Sequence, residues 1–280
     1  MTRSAGRAGG PRRGVDPRVQ AGTDAHYRDA LYYERAYSRR RDDVRFYAAL
    51  AGERGGPVLE LGSGAGRVAR EIARNGVEVV GVDRVGEMLS LARRRIEAEP
   101  RAVRERVAFR RGDLRAIRLR RRFPLIIAPF NVMNHLYTRR DWERALDTVR
   151  RHLAPRGRFV FDVRVPDATE LARSPGRTWR GRPVVHPGDG RRYRYGESFE
   201  WDPVTQIELI TMQFEDAEDP SNFYIVPLAQ RHVFPAELEA LLHYNGWTIT
   251  DRWGDFARGP LRPSSESQIV VARPPARRAR

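Results

Sequence analysis

The spacing of apolar residues gives the first outline of this chain. From Thr23 onward, Tyr27, Leu31, Tyr32 and Ala36 recur at intervals of three to four, followed by Val44, Phe46, Tyr47 and Leu50. This is helical spacing, and it predicts a split into two helices near Ser38. Gly55-Gly56-Pro57 breaks the run, and Val58-Leu59-Glu60-Leu61 reads as a short buried strand. Helices and strands then alternate. A helix over residues 67–74 stops at Asn75-Gly76, and residues 77–82 form a β-branched strand. A helix over 86–99 is ended by Pro100, and strands follow at 106–110 and 123–128. Thr138 stands as N-cap before Asp141 and the stripe Trp142, Ala145, Leu146, Val149 and Leu153; a strand over 158–163 comes after.

Strands separated by helices of this length predict a parallel sheet with right-handed crossovers. The alternation stops at about Arg177. From there to Phe234 the chain shows Gly/Pro turns and period-two segments such as Gln206–Phe214, which predict a small antiparallel insertion of about three strands. A helix over 235–244 and strands over 247–252 and 268–272 close the pattern. The expected organisation is a basic disordered tail (1–22), a main domain (23–176 with 235–273), the β insertion (177–234) and a second basic tail (274–280).

Composition narrows the classes. No run approaches the roughly 18 apolar residues of a membrane span. There is no cysteine, so disulfides, thiolate metal sites and cysteine nucleophiles are excluded, and no metal-ligand spacing is seen. The N-terminus lacks the apolar core of a secretory signal, and a cytoplasmic location is expected. The net charge of +16 raises nucleic acid as a partner. All of that basic charge is arginine, scattered over helices and tails without interleaved aromatics. Composition bias explains it better than a phosphate-binding surface.

The chemistry is concentrated in Glu60-Leu61-Gly62-Ser63-Gly64-Ala65-Gly66-Arg67, where a strand runs through a glycine turn into a helix. Such glycines let the backbone turn tightly and a ligand approach it. Asp83 ends the next strand about twenty residues on, where an acid meets ribose hydroxyls. A dinucleotide loop would need glycine at Arg67; the third glycine is instead Gly66, with Glu60 before the loop.

This E-x-G-x-G-x-G form resembles motif I of the class I S-adenosylmethionine-dependent methyltransferases. Three further segments resemble that family in order: Val82-Asp83-Arg84 with Met88, Gly112-Asp113-Leu114, and Leu153 to Asp162. The resemblance implies a Rossmann-like α/β fold, a seven-stranded, mostly parallel sheet with helices on both faces. It also implies S-adenosyl-L-methionine as cofactor. Its binding residues would be Tyr33, Glu60, Gly62, Ser63, Gly64, Gly66, Arg67, Asp83, Arg84, Met88, Gly112, Asp113, Leu114 and Phe130. After the fourth strand, Asn131 and His135 hold the family's active-site position, His135 as base or orienting group. Tyr37, Asn134, Arg231 and His232 are the expected acceptor contacts; the alternatives are core packing for Tyr37, capping or packing of the next short helix for Asn134, and solvent-facing strand positions for Arg231 and His232. The insertion resembles the extension of sugar-amine and glycine-type N-methyltransferases, which implies a cover over the acceptor and a homodimer. The expected activity is methyl transfer to a small molecule, an amine before a hydroxyl. The alternatives are an RNA methyltransferase or RNA-binding protein, and a non-catalytic cofactor-binding subunit.

Overall fold

A computed structural model describes residues 16–275. Three helices open it: α1 (Pro17–Arg28), α2 (Ala30–Tyr37) and α3 (Asp42–Arg54). Residues 17–22 are therefore helix, correcting the expectation of a tail to residue 22. The Asp16 side chain caps Arg18 N–H, Pro17 takes the first turn, and Val19 and Gly22 are buried. Residues 1–15 and 276–280 of the two expected tails lie outside the described residues.

The central sheet is then built in alternation. In chain order come β1 (Val58–Leu61), α4 (Arg67–Arg74), β2 (Val79–Asp83), α5 (Gly86–Glu97), α6 (Arg101–Arg104), β3 (Val107–Arg111) and β4 (Phe123–Ala128). A 3-10 turn (Val132–His135), α7 (Arg139–His152), β5 (Leu153–Arg164) and α8 (Ala168–Leu171) follow. Thr138 and Asp141 form a reciprocal capping box at the start of α7. After the insertion, α9 (Pro235–Tyr244), β11 (Thr248–Trp253) and β12 (Ser267–Arg273) finish the sheet. Its seven strands run in the order β11-β12-β5-β4-β1-β2-β3, and β12 is antiparallel to both neighbours.

Alternation along each strand divides the core between two faces. Leu59, Leu61, Ile126, Phe159 and Phe161 pack with Trp142 and Leu146 of α7 and Leu238 of α9. Val58, Leu125, Ile127 and Val160 pack with α3, α4 and α5. The chain leaves β1 toward β2 and later returns to β4 on its other side, so the helices diverge there. A crevice opens at the carboxyl ends of β1 and β4.

The insertion is an antiparallel sheet of three long strands, β8 (Arg192–Asp202), β9 (Ile207–Asp216) and β10 (Phe223–Arg231). Two short strands, β6 (Trp179–Arg180) and β7 (Val184–Val185), also pair with β8, giving five strands where about three were expected. Along β9 every second residue from Glu208 to Asp216 is buried. That face meets α1 and α2 through Tyr27 and Tyr32. Gly22 permits the contact, because a Cβ there would come within 2.7 Å of Ala229 N. Residues of α1 and α2 line the crevice, and the insertion packs on those helices.

Candidate active site

The glycine loop lies at the crevice floor. Gly62, at φ 70°, faces Val132, whose Cγ2 a Cβ would meet at 2.3 Å; Gly64, at φ 51°, has open space before it. Asp83 fixes the loop: its carboxylate accepts from Gly64 N–H at 2.7 Å and Val85 N–H at 2.9 Å. Burial nonetheless raises its pKa against those hydrogen bonds.

From Asp83 a cleft of about 810 Å³, its open mouth included, runs past Met88, Gly112, Asp113 and Leu114. Arg115 binds Asp113 at 2.6 Å and Asp141 at 2.7 Å. Burial acts to raise the Asp113 pKa, but the hydrogen bonds from Arg115 outweigh it and hold the carboxyl low. Arg84 lines the cleft while its guanidinium pairs with Asp24 of α1.

At the other end of the loop, Glu60, Ser63, Gly64, Arg67, Tyr33, Tyr37 and Phe130 surround a smaller hollow. Glu60 is 1% exposed, and among the described residues neither its Oε2 nor Ser63 Oγ has a partner. Burial holds the Glu60 carboxyl well above the usual carboxylate range. Arg67 is turned away to Asp43 at 2.5 Å, with its guanidinium over the Phe130 ring at 5.3 Å. Gly66, at φ 75°, ends the loop beneath Phe109.

The turn after β4 is strained. Phe130 and Asn131 have φ of 61° and 60°, a region that costs a residue with a side chain about 1–2 kcal/mol. Asp162, near the end of β5 and 1% exposed, holds it there. Its Oδ1 accepts from Phe130 N–H at 2.8 Å and Tyr47 O–H at 2.7 Å; Oδ2 accepts from Asn131 N–H at 3.0 Å. Burial raises its pKa to about 6. The Phe130 ring is thereby set against Tyr37 at 5.1 Å and Tyr33 at 6.4 Å.

A second cavity, about 1880 Å³ with its open mouth, lies beyond that ring under the insertion. Tyr27, Tyr33 and Phe130 line both this cavity and the cleft. His26, Tyr37 and Asn131 also face it, and Asn131 Oδ1 is buried without a partner among the described residues. His26 Nε2 meets Tyr37 Oη at 3.2 Å, and burial lowers the His26 pKa to about 4.

His135 lines the cleft with both ring nitrogens engaged. Tyr137 O–H donates to Ala229 O at 2.9 Å, which makes it the acceptor for His135 Nδ1–H at 3.2 Å. Nε2 is then free to accept from Tyr27 O–H at 2.6 Å; this tautomer is assigned from the network. Burial first, then the Arg84 charge, lowers the His135 pKa to about 4, so the ring is neutral near pH 7.

Three expected acceptor contacts sit elsewhere. Asn134 is fully buried, its Nδ2–H donating to Arg231 O at 3.0 Å. The Arg231 guanidinium pairs with Glu237 of α9 at 2.5 Å. His232 is buried against Glu208 at 2.9 Å and the Trp201 ring. None of the three lines either space; they form the seam joining the insertion to the main sheet. Sequence reasoning missed Asp162 and Tyr27 as site residues. The signal for Asp162 was an acid at the end of a Phe/Val strand, which burial obliges to find donors.

The residues present fit S-adenosylmethionine. A buried carboxyl with one oxygen unpartnered among the described residues suits its ammonium, aromatic faces suit its sulfonium, and the apolar cleft with two acids suits its nucleoside. Sheet order, glycine loop and acid-ended strands are those of the class I S-adenosylmethionine-dependent methyltransferase fold. Residues 58–157 match the family described as a methyltransferase domain.

A curated N,N-dimethyltransferase of dTDP-3-amino-3,6-dideoxy-α-D-glucopyranose from Streptomyces fradiae is 28% identical over 126 residues, 45% of this chain and 46% of that protein. The chain matches less than half the length of its curated relatives. Among solved structures, the CcbJ methyltransferase of Streptomyces caelestis superposes with a TM-score of 0.73 at 26% identity, covering 85% of this chain and 98% of that one. The amino pentose methyltransferase CalS10 of Micromonospora echinaspora, solved with S-adenosylmethionine bound, shares the fold. Its TM-score is 0.63 at 20% identity, over 86% and 95% of the two chains.

Proposed function

We propose that this protein transfers a methyl group from S-adenosylmethionine to an amine of a small molecule held between α1, α2 and the β insertion. The observation that carries this reading is the shared wall. Tyr27, Tyr33 and Phe130 bound both the nucleoside cleft and the second cavity, so donor and acceptor meet at that aromatic ring set. The bound cofactor supplies a sulfonium methyl; the N–C bond forms as C–S breaks, the electron pair stays on sulfur and the amine sheds its proton to solvent.

The chain's own residues do the rest by alignment and exclusion of water. Glu60 holds the cofactor ammonium, Asp83 the ribose, and Asp113 with Leu114 the adenine. Asn131 Oδ1 accepts an N–H of the acceptor, and His135 orients Tyr27 at the junction. In this reading residues 177–234 are a cover, and α1 belongs with them. The S. fradiae and M. echinaspora relatives, named for amino-sugar substrates, support an amine acceptor. The exposed apolar side chains of Phe223 and Ile225 on β10 support pairing of two copies through the insertion. An RNA acceptor would be served by an open basic face. Instead Glu170, Glu197 and Phe199 are among the residues lining the cavity.

The test is calorimetric titration with S-adenosylmethionine and, separately, NADH, on the protein and on Asp83→Ala. Micromolar binding of the first alone is expected, weakened at least tenfold in the variant. Formation of S-adenosylhomocysteine is then followed against a panel of amino sugars. Absence of S-adenosylmethionine binding would overturn the reading.

A further inference from the structure

The inner face of the insertion is apolar with one acid set into it. Side chains alternate along β8, so Tyr195, Glu197 and Phe199 share a face. Register places them opposite Phe214, Met212 and Ile210 of β9. Glu197 thus projects from among aromatic and aliphatic neighbours, is partly buried, and lines the second cavity. Its Oε1 accepts from Tyr195 O–H.

Of the other acids lining that cavity, Glu266 is exposed, and Glu170 and Asp167 are occupied differently. Glu170 lies between Arg164 and Arg173, the latter at 2.9 Å. Asp167 accepts from Thr169 N–H at 2.7 Å and Glu170 N–H at 3.3 Å, capping α8. Glu197 is also close to the junction where the methyl is delivered. Its charge is felt at Tyr37, after burial the largest influence raising that hydroxyl's pKa, and the Tyr37 ring lies 5.1 Å from Phe130. A carboxylate on an apolar wall is costly unless something cationic or strongly donating meets it. Tyr195 supplies one hydrogen bond, and a carboxylate can accept more.

We infer that Glu197 is the specificity-determining anchor for a cationic amine acceptor, whose nitrogen it binds across the cavity from Phe130. This rests on the methyl-transfer reading and adds the charge of the substrate to it. The amine enters as the ammonium paired with Glu197, gives up one N–H proton to solvent and attacks the methyl as the free base; the methylated ammonium that results keeps the same partner until it leaves. An alcohol of the same shape offers one O–H and no charge, and gains far less.

The experiment uses the full chain saturated with S-adenosylhomocysteine. Binding of a panel of sugar and aromatic primary amines, each beside its alcohol isostere, is measured by calorimetry on wild type and on Glu197→Gln. The variant preserves shape and leaves an acceptor for Tyr195. At least one amine is expected to bind wild type ten or more times tighter than its alcohol. In Glu197→Gln that preference falls below threefold, while S-adenosylmethionine affinity and melting temperature stay unchanged. Equal binding of amines and alcohols, survival of the preference in the variant, or no amine binding to protein that binds the cofactor would each overturn the anchor. Failure of wild type to bind S-adenosylmethionine would instead sink the methyl-transfer reading beneath it.

Discussion

Glu60 concentrates the chemistry of the donor site in one side chain. It stands near the end of a strand whose residues are all buried, and its Oε2 is without a partner among the described residues. Burial raises its pKa, so the free protein protonates Glu60 at a higher pH than it would an exposed glutamate. An ammonium at hydrogen-bonding distance favours the ionised form and lowers that pKa. Binding of S-adenosylmethionine should therefore release a proton, and affinity should rise with pH until the free carboxyl has ionised. Calorimetry in buffers of different ionisation enthalpy measures this directly. Proton release is expected for wild type and none for Glu60→Gln, whose affinity should fall about ten- to hundredfold for the lost charge-assisted contact. Buffer-independent heats in wild type would show that Glu60 does not exchange its proton for the ligand. The sequence made Glu60 visible, because an acid stands just before a glycine turn. Its burial, and hence the proton coupling, came only with the packing of Tyr33 and Phe130 over the loop.

Between elements, what matters is how β5 disciplines the end of β4. Two consecutive left-handed residues with side chains persist only where surrounding structure imposes them. Asp162 does so with both oxygens, reaching across from the neighbouring strand. Asp162→Asn replaces one acceptor by a donor facing a backbone N–H. A loss of about 2–3 kcal/mol in urea denaturation is expected, the cost of one unpaired buried donor together with part of the strain it held. Cofactor affinity should fall as well, since Phe130 lines the cleft, the hollow and the second cavity alike; a variant with wild-type stability and affinity would contradict the clamp. Elements of this kind were unevenly legible. The strand–loop–helix at 58–74, the capping box at Thr138 and the sheet's alternation follow local rules, and the period-two run at β9 announced the insertion. The seam did not. Asn134 meets Arg231 across 97 positions, and Tyr137 meets Ala229 across 92. No local pattern encodes such partners, which is why Asn134, Arg231 and His232 read as acceptor contacts when their polar groups serve the joint. The helical start at Pro17 was missed for a related reason. Its sequence is weakly amphipathic, and it is held by β10 rather than by its own propensity.

Across the whole molecule, four buried groups set opposing responses to acid. His26 and His135 titrate near 4 in the fold against 6.5 in the open chain, so the unfolded state binds more protons between those values. Their contribution weakens as pH falls from 6.5 toward 4. Asp162, raised to about 6, and Glu60, also raised, behave in reverse: the folded state binds the extra proton, and their contribution is regained as pH falls. The two pairs oppose one another across the window, and Asp83 is raised in the same direction as the carboxyl pair. Net charge of +16 grows with acidification and adds self-repulsion to every variant alike, so differences between variants are the cleaner readout. His135→Gln removes one acid-sensitive group. A pKa that differs by one between the folded and open chain is worth about 1.4 kcal/mol, so relative to wild type this variant should gain roughly 2 kcal/mol between pH 7 and pH 4.5, measured as the change in its urea-unfolding difference. Asp162→Asn should move the other way over the same interval, because wild type alone gains from protonating Asp162. The two variants diverging in opposite directions would tie the balance to the junction of Tyr27, His135, Phe130 and Asp162 between the cleft and the second cavity. Parallel profiles would mean that neither group changes its protonation on unfolding, and that the neutral state of His135 is no part of how Tyr27 is held.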